Sequence, residues 1–168
     1  MPDRQREVTL RFLAEPSDVN LYGNVHGGSV MKWIDQAGYA CSVGWSGKFC
    51  VTVFVSGIRF YCPIRIGHIV EVRGRLIYTG RTSIHIAVEV RAADPRVGDF
   101  ARTTQCIVVF VAIDEAGKPV EVPAWSPQTP EDIAQQQYAI KLMEVRKAVE
   151  DAADLRANPF ASHKKSES

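Results

Sequence analysis

The chain has no long hydrophobic run: its longest unbroken apolar stretch, Ile107 to Ile113, is far too short to cross a bilayer as a helix. It also has no excess of either charge. In 168 residues, 20 Lys and Arg nearly cancel 19 Asp and Glu, so neither the basic footprint of a nucleic-acid binder nor that of a protein held on an anionic membrane is present. Cysteine is sparse, and Cys41, Cys50, Cys62 and Cys106 form no closely spaced pair, which favours buried thiols over zinc ligands or disulfides. Neither a phosphate-binding loop nor a dinucleotide glycine fingerprint occurs. The start MPDRQREVTL is too polar for a secretory leader, so a cytoplasmic protein is expected. At this length one domain can bury around 70% of its unfolded-chain surface without staples.

What is present is concentrated between Gly23 and Asp35, GNVHGGSVMKWID. Gly23 and Asn24 tolerate left-handed backbone, and Gly27 and Gly28 allow close approach of a ligand or a second backbone. A helix then follows. Val30, Trp33, Ile34, Ala37, Ala40 and Cys41 recur on one face, while Gly28, Lys32, Asp35, Gln36 and Tyr39 share the other. A glycine-lined helix start offers unpaired amides and the positive end of the macrodipole to a carbonyl oxygen. Asp35 stands seven residues beyond Gly28 on nearly the same line of the helix, roughly 10 Å along the axis, with its side chain leaning back toward those amides. That arrangement suits attack on a polarised carbonyl. The rival for Asp35 is a surface pair with Lys32.

Around this helix the pattern has period two. Residues 7–13 form an edge strand, and the helix is expected from about Gly27 to Val43, with Gly44 to Gly47 ending it. Phe49–Tyr61, His68–Tyr78, Ser83–Ala92 and Ala101–Ile113 read as four strands, the third with one wet face, Ser83, His85, Ala87, Glu89 and Arg91. Short connections predict an antiparallel meander wrapped around the helix. A second helix is expected from Thr129 to about Arg156, capped by Thr129, Pro130 and Asp132. His68 and His85 read as structural or surface groups.

Three stretches, Asn20 with GNVHGGSVMKWIDQAG at 23–38, VTVFVSGIRFYCPIRIGHIVEVRGRL at 51–76, and YTGRTSIHIAVEV at 78–90, resemble the hotdog-fold acyl-CoA thioesterases, the short bacterial and cytosolic acyl-CoA hydrolases in particular. The resemblance covers roughly residues 7–123. It implies an α+β fold, a single hotdog domain at 7–127 with its antiparallel sheet wrapped around a long central helix; the C-terminal helix read from its own cap residues follows at 128–157. Residues 1–6 would be a flexible N-terminus and 158–168 a disordered tail.

The resemblance further implies hydrolysis of an acyl-CoA thioester to a carboxylic acid and coenzyme A. Asp35 would be general base or nucleophile, and Asn24 would come from the opposite subunit. His26, Gly27 and Gly28 would position the substrate or oxyanion. The backbone at Val55, Ser56 and Gly57 and at Arg81, Thr82 and Ser83 would line the path of coenzyme A. No metal and no cofactor apart from the substrate's own coenzyme A is implied, and the expected assembly is a homodimer or a hexamer of three dimers. Two other classes compete: a noncatalytic acyl-CoA-binding or sensing module, and a hotdog enoyl-CoA hydratase or dehydratase, which needs a histidine paired with a carboxylate.

Overall fold

The computed structural model describes residues 3–152. The chain runs through β1 (Glu7–Leu13), a 3-10 turn (Pro16–Asp18), α1 (Gly27–Ser46), β2 (Phe49–Val55), β3 (Arg59–Phe60), β4 (Ile69–Thr79), β5 (Ser83–Ala93), β6 (Ala101–Ile113) and α2 (Pro130–Ala152). The strands make one antiparallel sheet in the order β1-β4-β5-β6-β2, with β3 also paired to β6.

The sheet is curved around α1. The helix buries Val30, Trp33, Ile34, Ala37 and Cys41, the stripe expected from its period, together with Gly38 and Ser42. These meet an apolar lining that alternates along each strand, such as Ile84, Ile86 and Val88 on β5 and Val108 and Phe110 on β6. Gly38 allows the closest approach: a Cβ there would stand 2.7 Å from Phe110 Cε2. The helix outlasts its expected end at Val43 because Gly44 stays helical. The stop is Gly47, whose left-handed φ of 66° lets its N–H return to Val43 O at 2.8 Å.

Two expectations about the strands need correction. Phe49–Tyr61 is not one strand: it breaks after Val55, where Ser56 N donates to Ile107 O at 2.9 Å and Ser56 Oγ accepts from Ile107 N at 2.7 Å. Nor does it neighbour β4. Only β4, β5 and β6 form a meander, and β2 crosses to the far side of β6. The segment from Tyr61 to His68 is long enough to carry the chain back around the sheet, so its turn residues did not signal a hairpin.

The outer, convex face carries α2. Its start is a reciprocal cap in which Thr129 Oγ1 accepts from Asp132 N at 3.1 Å and Asp132 Oδ2 accepts from Thr129 N at 3.3 Å, with Gln128 N donating to the same oxygen at 3.1 Å. Asp132 is buried and also receives Arg6, whose guanidinium lies 4.5 Å from the Trp125 ring centroid. The helix covers Ile77, Ile107 and Val109 through Ala139 and Leu142. The face of β5 expected to be wet is therefore half covered, and His85 is buried rather than on the surface. The expected helix end near Arg156 and the tail at 158–168 lie outside the described residues. Among the described residues, no helix is long and apolar enough to cross a membrane.

Candidate active site

The loop before α1 is held by its own side chains and backbone. Asn20 Oδ1 accepts from Tyr22 N at 2.9 Å and from Asn24 N at 3.3 Å, and Asn20 N donates to Asn24 O at 2.7 Å. Val25 N then donates to Ile64 O at 2.7 Å and His26 N to Asp18 O at 2.8 Å, which fixes the direction of the helix. Val30 N reaches His26 O at 3.2 Å, so the amides of Gly27, Gly28 and Ser29 precede the helical ladder. Gly27 faces the Phe60 ring and Gly28 is open. His26 is the N-cap residue, but its exposed side chain makes no capping bond.

Asp35 lies on the outward side of α1, as its spacing predicts, but it does not pair with Lys32. Its Oδ1 accepts a hydrogen bond from Thr52 Oγ1 on β2. Thr52 stands opposite Phe110 and so shares the face of the sheet turned toward α1. Asp35 lines a cavity of about 270 Å³ whose other walls are apolar apart from Ser56: Met31, Ile34, Val55, Ile58 and Val108. Thr52 escapes sequence reasoning because a threonine in a β-branched run reads simply as a strand former.

Asn24 does not line that cavity. It opens instead onto a second one of about 290 Å³, with Gly27, Val30, Phe60 and Thr103 among its walls. The structure therefore brings Asp35 together with Val55 and Ser56, but within one chain it keeps Asn24 apart from them. Both Asn20 and Asn24 keep side-chain N–H groups without a protein acceptor among the described residues.

Residues 22–98 match the thioesterase superfamily. The chain is 34% identical to the acyl-CoA thioester hydrolase YciA of Salmonella typhimurium over 122 residues, 71% of this chain and 92% of that one. It is 36% identical to an uncharacterized acyl-CoA thioester hydrolase of Buchnera aphidicola over 121 residues, covering 70% and 90%. The crystal structure of an apo-hexameric acyl-CoA thioesterase superposes with a TM-score of 0.82 at 30% identity, covering 88% of this chain and 95% of that one. The chain belongs to the acyl-CoA thioester hydrolases.

In this hotdog thioesterase, β2 is an edge strand and, among the described residues, pairs only with β6. Its Phe49 and Val53 are 67% and 54% exposed, an apolar edge with unpaired backbone of the kind that recruits another strand. Arg81, Thr82 and Ser83 lie on the other side of β6, in the β4–β5 hairpin. Arg81 faces Glu121 at 3.6 Å with both side chains exposed, and Thr82 O accepts from Ala112 N. They line neither of the two cavities described above.

Of the four thiols expected to be buried, Cys41, Cys50 and Cys106 are, whereas Cys62 is exposed. Burial pushes the Cys41 thiol up to about 12 and the Cys106 thiol up to about 11, which keeps both protonated and poor nucleophiles. Burial, with Arg146 nearby, holds His85 down at about 4. It touches Ser83 Oγ at 3.5 Å and the Tyr78 ring edge-on and, among the described residues, has no carboxylate partner of the kind a hydratase histidine requires.

Proposed function

We propose that the chain hydrolyses acyl-CoA thioesters at sites shared between two subunits. The observation that carries this reading is the split between Asp35 in its cavity and Asn24 outside it, beside an apolar strand edge with no partner. Pairing of β2 with a second β2 would continue the sheet and bring the turn of one subunit toward the Asp35 cavity of the other. The same edge pairing gives a dimer, and three dimers give a hexamer like that of the apo-hexameric relative.

In the proposed reaction Asp35 takes a proton from water as its oxygen attacks the thioester carbonyl. Thr52 fixes the carboxylate that does so. The amides at Gly27 and Gly28, with the helix dipole behind them, receive the negative charge that develops on the carbonyl oxygen. The partner's Asn20–Asn24 turn supplies side-chain N–H donors, Asn24 first among them, that orient water or substrate. Collapse of the tetrahedral species breaks the C–S bond, releasing the carboxylic acid and coenzyme A, whose sulfur takes up the proton. Coenzyme A enters only as part of the substrate, no metal takes part, and the cytoplasm is the proposed site of action.

The test is a screen of the purified protein against short, long and aryl acyl-CoAs, following free thiol. Thiol release well above the uncatalysed rate for at least one substrate, lost in Asp35→Ala, is expected. Background rates throughout would leave the noncatalytic binding module, and water addition to an enoyl-CoA would indicate the hydratase.

A further inference from the structure

The convex face of the sheet is only half covered. Beyond α2 lies an open trough whose floor is a row of residues standing opposite one another across five strands: Thr9, Arg73, Glu89, Gln105 and Arg59. Two adjoining concavities, about 600 and 460 Å³, run along it and share Tyr61, Glu89 and Arg102.

Positive charge collects here, although the chain as a whole is nearly neutral. Four carboxylates of this face already have partners: Glu71 with Arg11 at 2.5 Å, Glu89 with Arg102 at 2.8 Å, and Glu7 and Glu131 with Arg75 at 2.9 and 3.3 Å. Arg59 and Arg73 have no acidic partner within salt-bridge distance among the described residues, and both are exposed. Arg59 also lies 5.6 Å from the centroid of the half-exposed Tyr61 ring. Unpaired guanidinium groups beside a free aromatic face suit a ligand with several negative charges and a planar base.

The trough leads to the catalytic side. Ser56 and Gly57 form part of its wall, and Ser56 also lines the Asp35 cavity. The regular ladder with β6 lapses between Val55 and Arg59, where Ser56 alone bonds Ile107, so the link runs past Gly57 at the sheet edge. Gly57 presents no side chain there, and no atom lies within 4 Å of where one would begin.

We infer that this trough holds the phosphorylated ADP end of coenzyme A, with Arg59 and Arg73 on its phosphates and Tyr61 against its adenine, while the pantetheine arm passes Ser56 and Gly57 toward Asp35. The inference rests on the acyl-CoA hydrolase reading and moves phosphate recognition from Arg81 to the convex face.

The test compares an acyl-CoA with the matching acyl-pantetheine, which lacks the nucleotide, on the full-length enzyme. Arg59→Ala and Arg73→Ala should each raise KM for the acyl-CoA on the order of tenfold with kcat unchanged, as expected for loss of a charge-assisted bond made equally in ground and transition states. Acyl-pantetheine kinetics should not move, which also shows that the variants are folded. Adenosine bisphosphate matching the nucleotide end should inhibit the wild type competitively and the variants more weakly by a similar factor. An unchanged KM, an equal loss with acyl-pantetheine, or a larger effect from Arg81→Ala would overturn the assignment. If the wild type releases thiol from neither substrate, the hydrolase reading has failed. Calorimetric binding of adenosine bisphosphate to the wild type, but not to the variant lacking both arginines, would then still support the site, and equal or absent binding would reject it.

Discussion

Thr52→Val removes a single hydroxyl, the one that donates to Asp35 Oδ1, and puts a good strand former in its place on β2. A hydrogen bond to a charged acceptor contributes about 1.5–3 kcal/mol. Asp35 is exposed in the single chain, so the lower end of that range applies, and about 1.5 kcal/mol corresponds to roughly tenfold in rate. The loss should appear in kcat and not in KM, because Thr52 touches the carboxylate rather than the substrate. Thr52→Ser retains the hydroxyl and should stay within about threefold of wild type, the excess being rotamer freedom at the unbranched Cβ. Steady-state release of thiol from a good acyl-CoA substrate, with thermal unfolding as the folding control, measures both variants. A valine variant as fast as wild type, or a serine variant as slow as the valine one, would refute the positioning role.

Gly38→Ala adds a Cβ 2.7 Å from Phe110 Cε2. Overpacking of about 1–3 kcal/mol should outweigh roughly 1 kcal/mol of helix propensity, so the midpoint of thermal unfolding should fall, and a raised midpoint would show that the helix–sheet contact is looser than described. His85, held down at about 4 against 6.5 when free, stays neutral in the native state between those values while the unfolded state takes up a proton. Stability is therefore full above pH 6.5 and should decline as the pH falls toward 4, by on the order of 3 kcal/mol from this residue. Urea midpoints followed across that range should flatten in His85→Phe, and identical slopes in the two proteins would count against the assignment.

What could be read from the chain divides along physical lines. The stripe Val30, Trp33, Ile34, Ala37 and Cys41 was legible because a helix facing a core must repeat its apolar residues every three or four positions. Asp35 was legible as an outward polar residue on that helix. Its partner Thr52 was not, because contact between α1 and β2 depends on how the sheet closes around the helix. The position of β2 was hidden for the same reason: periodicity identifies a strand, whereas its neighbour is chosen by the whole sheet. The fate of β5's second face was equally hidden, since His85 becomes buried only when α2 returns over the sheet, anchored through Asp132 and Arg6. The separation of Asn24 from the Asp35 cavity appears only in three dimensions.

The most direct measurement of the shared site is complementation between two inactive variants. Asp35→Ala is combined, by co-expression or joint refolding, with a variant carrying both Asn20→Ala and Asn24→Ala, and mixed dimers are verified by native mass. A mixed dimer gathers both lesions into one site and leaves the other intact. Equal amounts should therefore recover about a quarter of wild-type sites, because half the dimers are mixed and each holds one good site. Activity that stays at the level of the parents in a sample shown to contain mixed dimers would contradict a site built by two subunits.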